Sequence, residues 1–481
     1  MKQGITIELM DWSTADILKA TQGRLRYGKH DACFTGVCID SRSISAGQLF
    51  VAICGDNHDA HTFIDQVVDK NVGGVVIQSR TAVALDHERY EKQGVSCFEV
   101  PDTTIALGAL AAYQRRQHTL PVVAITGSNG KTSTRQMTQN VLSQRFNTLG
   151  TLGNFNNEIG LPLTLFNLAP EHTAAVVELG MNHPGEMTRL GAICHPTIAI
   201  ITNVGPAHLE FLGSLEAVAR AKGEIMAQVA DDGTVVLNRD DPYVAALAID
   251  TDRNVLWFGI DEQAAVRATQ IVEDGTGVTF DLHLPTGTAT VHLQTPGRFM
   301  VSNALAAAAA GYLTGLSVTE VKTGLQSFTA TPGRLYITQT ANGISIIDDT
   351  YNANPASMAA AINTLNDVRK DQTGIAVLGD MLELGAQAAE LHQQVGRQAA
   401  ASGVFRLYAF GRYAQKVLQG AWEAGMDQGN TFAGSKEAII ADLIHCLEPG
   451  CWVLIKGSRG NAMETVVTAI RQWADAEPPK R

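Results

Sequence analysis

The most informative segment reads Val122-Val-Ala-Ile-Thr-Gly-Ser-Asn-Gly-Lys-Thr132, an apolar run followed by a glycine-rich turn and a Lys-Thr pair. A helical pattern continues from Lys131 to Phe146. A buried strand that turns through glycines into a helix directs backbone N–H groups and the helix N-terminus at one point, where they can hold phosphate. The generic loop G-x-x-x-x-G-K-[ST] has glycine where this chain has Ile125. The alternative, a turn without a ligand, is disfavoured because the motif lies between a strand and a helix.

Apolar strands alternate with helices on both sides of this segment, which predicts largely parallel sheets covered on both faces. The alternation pauses at Thr331-Pro-Gly333 and then restarts as a second doubly wound pattern. Before residue 118 the apolar runs are shorter and irregular. We therefore predict an α/β protein of three domains: a small N-terminal α/β domain (1–118), a central P-loop ATPase-like parallel-sheet domain (119–331) and a C-terminal Rossmann-like domain (332–481). After the phosphate loop, the predicted strands lie near 174–178, 197–201, 344–347, 375–378, 407–410 and 452–456. The predicted helices lie at about 214–229, from near 303, at 355–368, from about 389, in a segment that ends at 424, and at 435–447.

Composition limits the function. The 481 residues contain 36 Lys and Arg against 48 Asp and Glu, a net charge of −12 that repels nucleic acid and anionic lipid. No apolar run is long enough for a membrane span, the seven cysteines form no C-x-x-C pair, and Met1–Met10 lacks a secretory apolar core. We expect a cytoplasmic, monomeric enzyme with no nucleic-acid partner and no stable membrane insertion.

One lysine lies on the apolar face of a predicted helix. Lys222 falls in the middle of a stripe formed by Leu215, Val218, Ile225 and Val229. A buried ammonium must find a carboxylate, extend to solvent or lose its charge. A neutral amine can add CO₂ to give a carbamate, a carboxylate that suits Mg²⁺. His208 and Glu178 are the other candidate ligands, although a satisfied loop histidine and a paired lysine remain open alternatives.

Four of these motifs together resemble those of the ATP-dependent Mur ligases, the amide-forming enzymes of bacterial peptidoglycan assembly. They are Thr126-Gly-Ser-Asn-Gly-Lys-Thr132, Glu178, Thr202-Asn-Val-Gly-Pro-Ala-His208 and Ala221-Lys222. Further motifs resemble the member that adds D-alanyl-D-alanine to UDP-N-acetylmuramoyl-tripeptide: Asp40-Ser-Arg42, Gly153-Asn-Phe-Asn-Asn-Glu-Ile-Gly-Leu-Pro-Leu-Thr164, Asp348-Asp-Thr-Tyr-Asn-Ala-Asn-Pro355 and Gly379-Asp-Met-Leu-Glu-Leu-Gly385. The resemblance covers the whole chain.

The resemblance implies ATP and two Mg²⁺ ions as cofactors. ATP would lie on Gly127, Ser128, Asn129, Gly130, Lys131 and Thr132. Thr132 and Glu178 would bind one Mg²⁺, and His208 and carbamylated Lys222 the other. Asn303 would contact adenine, Asp349 the ribose, and Arg334 the phosphates after closure of the third domain. Lys131, His208, Lys222 and Arg334 would then be the catalytic residues.

The resemblance also implies the substrate contacts. Asp40, Ser41 and Arg42 would bind the uridine end of the UDP substrate in the N-terminal domain, with Asn156 and Asn157 as further contacts. Lys456, Ser458 and Arg459 would bind the carboxylate of the dipeptide. Structural roles without a ligand stay open as alternatives for these residues. Asp40–Arg42 could form a turn or helix cap, residue 349 could be an aspartate at the end of a strand, residues 456–459 could be a solvated basic turn, and Arg334 could pair with an acid at the surface. Where the family commonly has Gly-Arg-His-Asn, this chain has Gly297-Arg-Phe-Met300.

The implied reaction forms an amide through an acyl phosphate and a tetrahedral intermediate, giving UDP-muramoyl-pentapeptide, ADP and phosphate. Rival hypotheses are another ligase of the superfamily, such as the one adding the third amino acid or a folylpolyglutamate synthase, and a nucleotide-dependent switch without turnover. The identity of the third peptide residue, diaminopimelate or lysine, stays open.

Overall fold

The computed structural model describes residues 11–55, 58–81 and 85–476, apart from the side chain of Asp250. The expectation about a secretory signal concerns Met1–Met10, which lie outside the described residues. Within the described residues, no helix has the length and apolar character needed to cross a bilayer.

The N-terminal unit is a mixed sheet with helices against it. Its main sheet has the order β2-β7-β6-β5-β4, antiparallel at β2 and parallel elsewhere. The strands are β1 (Trp12–Ser13), β2 (Arg24–Tyr27), β3 (Cys33–Phe34), β4 (Val37–Cys38), β5 (Leu49–Val51), β6 (Gly74–Gln78) and β7 (Ser96–Val100), and the helices are α1 (Thr14–Thr21), α2 (Ile64–Val68), α3 (His87–Lys92) and α4 (Thr103–Arg116).

The central unit is a large sheet of order β16-β15-β14-β13-β12-β11-β8-β10-β9. Buried apolar clusters cover both faces, as the runs of apolar residues predict. The strands are β8 (Val122–Thr126), β9 (Thr148–Gly150), β10 (Ala174–Glu178), β11 (Ile198–Ile201), β12 (Thr234–Asn238), β13 (Asn254–Gly259), β14 (Val266–Glu273), β15 (Val278–Leu284) and β16 (Gly287–Leu293), and the helices are α5 (Lys131–Leu142), α6 (Gly160–Leu165), α7 (Glu186–Cys194), α8 (Leu209–Leu212), α9 (Leu215–Gly223), α10 (Pro242–Leu247), α11 (Phe299–Leu313) and α12 (Val318–Gln326).

The sheet is largely parallel, as expected, and β14, β15 and β16 add an antiparallel extension at one edge. One local expectation for this unit was wrong. The helix through Lys222 does not continue as an α-helix to Val229, because α9 gives way to a 3-10 helix at Glu224–Gln228. Glu224 turns towards the start of α7, where its carboxylate accepts hydrogen bonds from Gly185 N–H and Thr188 N–H.

The C-terminal unit restarts the strand–helix alternation, as expected. Its sheet has the order β17-β18-β22-β19-β20-β21, parallel except at β17. The strands are β17 (Tyr336–Gln339), β18 (Ser345–Asp349), β19 (Gly374–Leu378), β20 (Arg406–Ala409), β21 (Thr431–Ala433) and β22 (Trp452–Lys456), and the helices are α13 (Pro355–Arg369), α14 (Ala388–Ala401), α15 (Ala414–Glu423), α16 (Lys436–Cys446) and α17 (Glu464–Ala476). Further 3-10 helices lie at Ala60–Phe63, Ala248–Asp250, Gly385–Gln387, Gln428–Asn430 and Arg459–Asn461.

Strand order locates the site. In the central sheet β8 lies between β10 and β11, so connections from its carboxyl end leave in opposite directions and open a crevice there. In the C-terminal sheet β18 and β22 are neighbours, and they end at Asp349 and Lys456. Residues at all of these strand ends line one cavity between the two units.

Candidate functional site

A cavity of about 800 Å³ lies between the central and C-terminal units. This volume is in the range of small-molecule sites. Most of the sequence-predicted site residues line it, namely Ser128, Asn129, Gly130, Lys131, Thr132, Asn156, Asn157, Glu178, His208, Asn303, Arg334, Asp349 and Lys456. The prediction that these distant motifs converge is therefore supported by their placement.

The phosphate loop is held in shape by the loop that follows β11. Gly127 has φ +152°, and a Cβ there would lie 1.9 Å from Thr202 Oγ1, so the turn requires glycine at this position rather than at Ile125, which is buried inside β8. The N–H groups of Ser128 and Asn129 donate to Asn203 O and Oδ1, at 3.0 and 2.8 Å. The N–H groups available to a phosphate are thus those at the start of α5, which has no side-chain cap.

Two oxygen donors lie together behind the loop. Thr132 Oγ1 donates to Glu178 Oε2 at 2.8 Å, and Asn156 Nδ2 donates to Glu178 Oε1 at 2.9 Å. Glu178 is 2% exposed, and Arg135 Nε lies 3.8 Å from its carboxylate. A hydroxyl next to a buried carboxylate suits Mg²⁺, which binds one or two protein oxygens and completes its shell with phosphate and water. The Thr132–Glu178 pair therefore fits a metal site.

Lys222 is buried, as its place on the apolar face predicts. It is 2% exposed, and among the described residues no hydrogen bond or ion pair reaches its amine. Burial lowers the pKa of Lys222 well below its usual value, and the charge of Lys131 lowers it further. The side chain does not line the cavity itself. It is nevertheless a buried amine close enough to the phosphate-loop lysine for their charges to interact, and both burial and that charge disfavour its protonated form.

Lys131 turns back on its own loop. Its Nζ donates to Gly127 O at 2.8 Å, and burial lowers its pKa while Glu178 opposes that shift. An anion bound at the start of α5 would give this ammonium a better partner than a carbonyl oxygen.

His208 faces the C-terminal unit. Its Nδ1 lies 2.6 Å from Glu383 Oε2, and Glu210 N–H donates to Glu383 O at 3.2 Å. The His208 contact lowers the pKa of the Glu383 carboxyl. Among the described residues no cluster of three or more His, Cys, Asp and Glu side chains is placed to hold a metal. The second metal site predicted at His208 and Lys222 combines one histidine with a lysine rather than three such side chains, and it stays a prediction.

The three predicted nucleotide contacts line the cavity from two units, Arg334 and Asp349 from the C-terminal unit and Asn303 from α11 of the central unit. Arg334 stacks on the ring of Tyr351 at 3.9 Å, rather than pairing with a surface acid. Asp349 accepts Leu335 N–H at 3.1 Å and the Lys456 ammonium at 2.5 Å. Asn303 accepts from Thr134 Oγ1 at 3.3 Å, and its Nδ2 lies 3.6 Å from Met300 Sδ, one of the two residues that depart from the family pattern.

The remaining predicted substrate residues lie outside the cavity lining. The Asp40 carboxylate accepts from the Arg42 backbone and guanidinium at 2.8–2.9 Å, and Lys70 Nζ donates to Ser41 O at 2.7 Å. Ser458 Oγ accepts Leu382 N–H at 2.9 Å, and Arg459 pairs with Glu464 at 2.8 Å. Asn157, which does line the cavity, accepts Gly160 N–H at 2.8 Å in the turn that leads into α6.

Sequence reasoning assigned no role to five residues that shape the site. Asn203 holds the phosphate loop, Arg135 lies beside Glu178, and Glu383 lies opposite His208. Tyr351 stacks with Arg334, and Asn354 Nδ2 donates to Asn129 Oδ1 at 2.8 Å. Arg135 was within reach of sequence reasoning, because it lies one turn after Lys131 on α5. The other four depend on contacts between distant segments.

Family models match three consecutive parts of the chain. The model described as Mur ligase family, catalytic domain, matches residues 34–115; the Mur ligase middle domain matches 125–311; and the Mur ligase, glutamate ligase domain, matches 333–459.

Relatives and solved structures match nearly the full length. The UDP-N-acetylmuramoyl-tripeptide–D-alanyl-D-alanine ligase of Escherichia coli K12 is 38% identical over 92% of this chain and 95% of the relative. The Bacillus subtilis ligase of the same name is 31% identical over 94% and 96%. A crystal structure of MurF from Acinetobacter baumannii superposes with a TM-score of 0.88 at 33% identity, covering 97% of this chain and 100% of that one. MurF from Thermotoga maritima, solved in complex with ADP, gives 0.81 at 27% identity, covering 92% and 98%. With this coverage and identity, the chain belongs to the Mur ligase family.

Proposed function

We propose that this chain is an ATP-dependent ligase that joins D-alanyl-D-alanine to UDP-N-acetylmuramoyl-tripeptide. The observation that carries the proposal is the nearly full-length similarity to ligases of that name, at 38% identity for the Escherichia coli enzyme. The site is consistent with it, because a phosphate loop with Lys131, an oxygen pair for Mg²⁺ and the buried amine of Lys456 line one interdomain cavity. We take the units to be an N-terminal UDP-substrate domain (1–118), a central ATP domain (119–331) and a C-terminal domain (332–481).

ATP binds with its outer phosphates at residues 127–132 in this proposal. The free N–H groups at the start of α5 and the Lys131 ammonium hold the phosphate oxygens. Arg334 supplies a second cation from the C-terminal unit, Asn303 meets the adenine and Asp349 the ribose. Lys456 already neutralises Asp349, so we expect it to orient that carboxylate as well as to attract the dipeptide carboxylate.

Thr132 and Glu178 would hold one Mg²⁺, and His208 with carbamylated Lys222 would hold the second. When bound, the ions offset the repulsion between the triphosphate and the carboxylate that must approach it. The neutral amine of Lys222 adds CO₂ and releases a proton to form the carbamate. His208 contacts Glu383 through Nδ1, so Nε2 is the ring nitrogen that would bind the metal, with Glu383 orienting the ring.

The chemistry needs activation because a carboxylate is a poor electrophile. A carboxylate oxygen of the tripeptide attacks the γ-phosphorus, and the bond to the ADP oxygen breaks, leaving an acyl phosphate. The amine of D-alanyl-D-alanine then attacks the acyl carbon, loses a proton and expels phosphate from the tetrahedral intermediate. Lys131 and Arg334 stabilise charge on the transferred group. Closure of the units over the cavity excludes the water that would hydrolyse the acyl phosphate.

The UDP end of the acceptor binds in the N-terminal domain at Asp40, Ser41 and Arg42, and Asn156 and Asn157 contact its peptide. Ser458 and Arg459 lie at the dipeptide end. We propose that the enzyme acts as a monomer in the cytoplasm, where both substrates would be free in solution.

The deciding experiment is mass analysis of the product. Purified protein with UDP-N-acetylmuramoyl-tripeptide, ATP, Mg²⁺ and D-alanyl-D-alanine is expected to give the pentapeptide with equimolar ADP and phosphate. Acceptors carrying diaminopimelate or lysine, assayed in parallel, identify the third residue. ATP binding or hydrolysis without a new amide would contradict the proposal and favour a nucleotide switch.

A further inference from the structure

One side chain ties the C-terminal unit to the phosphate loop. Asn354 Nδ2 donates to Asn129 Oδ1 at 2.8 Å across 225 residues of sequence. Among the hydrogen bonds of the described residues, this is the one that joins residues 127–132 to the C-terminal unit. Both side chains line the cavity.

The Asn354 amide is held in one orientation by the helix that it starts. Its Oδ1 caps α13 by accepting Ser357 N–H at 2.9 Å, and its backbone N–H donates to Ser357 Oγ at 3.0 Å. Because the carbonyl oxygen is occupied by the helix, the amide nitrogen is the group left to face the loop. The orientation of this donor therefore follows from the cap.

On the central-unit side of the contact, the backbone of Asn129 is held by hydrogen bonds. Its N–H donates to Asn203 Oδ1 at 2.8 Å, and its carbonyl accepts from Thr202 Oγ1 at 2.7 Å and Asn203 Nδ2 at 3.0 Å. The contact thus joins a side chain that is ordered by its helix cap to a residue whose backbone is already ordered, so less conformational freedom is lost when it forms. A contact of this kind can set the spacing of the two units closely.

We propose that Asn354 is a positioning residue that fixes the closed C-terminal unit on the phosphate loop, and so aligns Arg334 with the phosphates. This inference rests on the proposed function. Asn354 acts through Asn129, which is directly followed by the residues whose N–H groups face the phosphate. Losing the bridge would leave nucleotide binding to the open protein intact and would reduce the fraction of complexes that close correctly.

A double-mutant cycle tests the bridge without removing the helix cap. Asn354→Ser keeps a good capping oxygen but cannot reach Asn129, Asn129→Ala removes the acceptor, and the third variant combines both. Ser435→Ala is the control, since it removes the cap of α16 in the same unit, where Ser435 Oγ accepts Ala438 N–H. Measurements are kcat and KM for pentapeptide synthesis, the Kd for ADP, and nucleotide-induced compaction by small-angle X-ray scattering.

We expect Asn354→Ser to lower kcat about tenfold, with the Kd for ADP changed less than about twofold, in line with the loss of one hydrogen bond. The double variant should be no slower than the slower single variant, because both remove the same contact. Unchanged kcat in Asn354→Ser, multiplying effects in the cycle, or an equal loss in Ser435→Ala would overturn the inference. If the wild-type protein formed no pentapeptide, the proposed function would be wrong. The scattering measurement would still decide the role of the bridge, because ADP-induced compaction is expected to be lost in Asn354→Ser and kept in Ser435→Ala.

Discussion

The cavity wall and the loop at Asp40–Arg42 carry similar charged residues in opposite surroundings. Glu178 and Lys222 are each 2% exposed, whereas the Arg42 side chain is 87% exposed and pairs with Asp40 two residues away. Burial makes an unpaired charge costly. Glu178 has fixed partners in Thr132 and Asn156, whereas Lys222, which lies outside the cavity lining and has no hydrogen-bond partner among the described residues, has a lowered pKa. The exposed pair is screened by water and contributes little to stability. We therefore expect substitutions in the wall to act on the chemistry and those in the loop to act on substrate affinity.

Replacing Lys222 should have the largest effect. We expect Lys222→Ala to lower kcat about 10³-fold, because a charged group that stabilises the transition state is lost. Added acetate or bicarbonate should restore part of the activity by filling the vacated space with a carboxylate. In Lys222→Met the side chain fills that space, so no rescue is expected. Full activity of either variant, measured by phosphate release, would remove the carbamate from the mechanism.

Replacing Glu178 should come next. We expect Glu178→Gln to lower kcat about 10²-fold and to raise the Mg²⁺ concentration needed for half-maximal rate, since an amide is a weaker metal ligand than a carboxylate. Glu320→Gln is the matched control, because that glutamate pairs with Arg145 at the surface of the same unit. An unchanged Mg²⁺ dependence in Glu178→Gln would mean that the Thr132–Glu178 pair does not hold the ion.

A smaller effect is expected at Arg334. Arg334→Lys keeps the charge but loses the planar stacking on Tyr351 and the forked contact with phosphate. We expect kcat to fall about tenfold with little change in the unfolding temperature. Arg412→Lys is the control, because Arg412 stacks on Tyr413 at 5.4 Å in the same unit but outside the cavity lining. Equal losses in the two variants would argue against a specific role for Arg334.

The smallest effect is expected at Asp40. The Arg42 contacts lower the pKa of Asp40 to about 2, so any stabilisation from the pair is present above about pH 4 and is lost as the pH falls through about 2. We expect Asp40→Asn to leave the unfolding temperature at pH 7 within about 2 °C of wild type and to raise KM for the UDP substrate a few-fold, roughly the strength of one exposed pair. Glu88→Gln, which disrupts an exposed pair with Lys92, should leave KM unchanged. A fall in kcat without a rise in KM would contradict substrate contact at Asp40.

Local sequence patterns predicted the secondary structure around the phosphate loop, but not the edge strands of the same sheet or the contacts between adjacent strands. The strand, turn and helix around Gly127 and the burial of Lys222 follow from short-range periodicity, and both are present. The antiparallel strands β14–β16 were missed, because their pairing depends on neighbours at the edge of the sheet rather than on their own sequence. The Asp349–Lys456 pair was also missed, since each residue was assigned a separate ligand although their strands are adjacent.

The amino-acid sequence by itself determined where the phosphate loop lies with its flanking strand and helix, and that Lys222 points inward. These properties depend on the order of apolar, small and charged residues within a few turns of the chain. Only the tertiary structure decided that Asn354 reaches Asn129, that His208 faces Glu383, and that Asp40 binds its own neighbour Arg42 outside the cavity lining. Such contacts depend on how separately folded units meet, and the distance between their side chains is set by packing that no local pattern encodes.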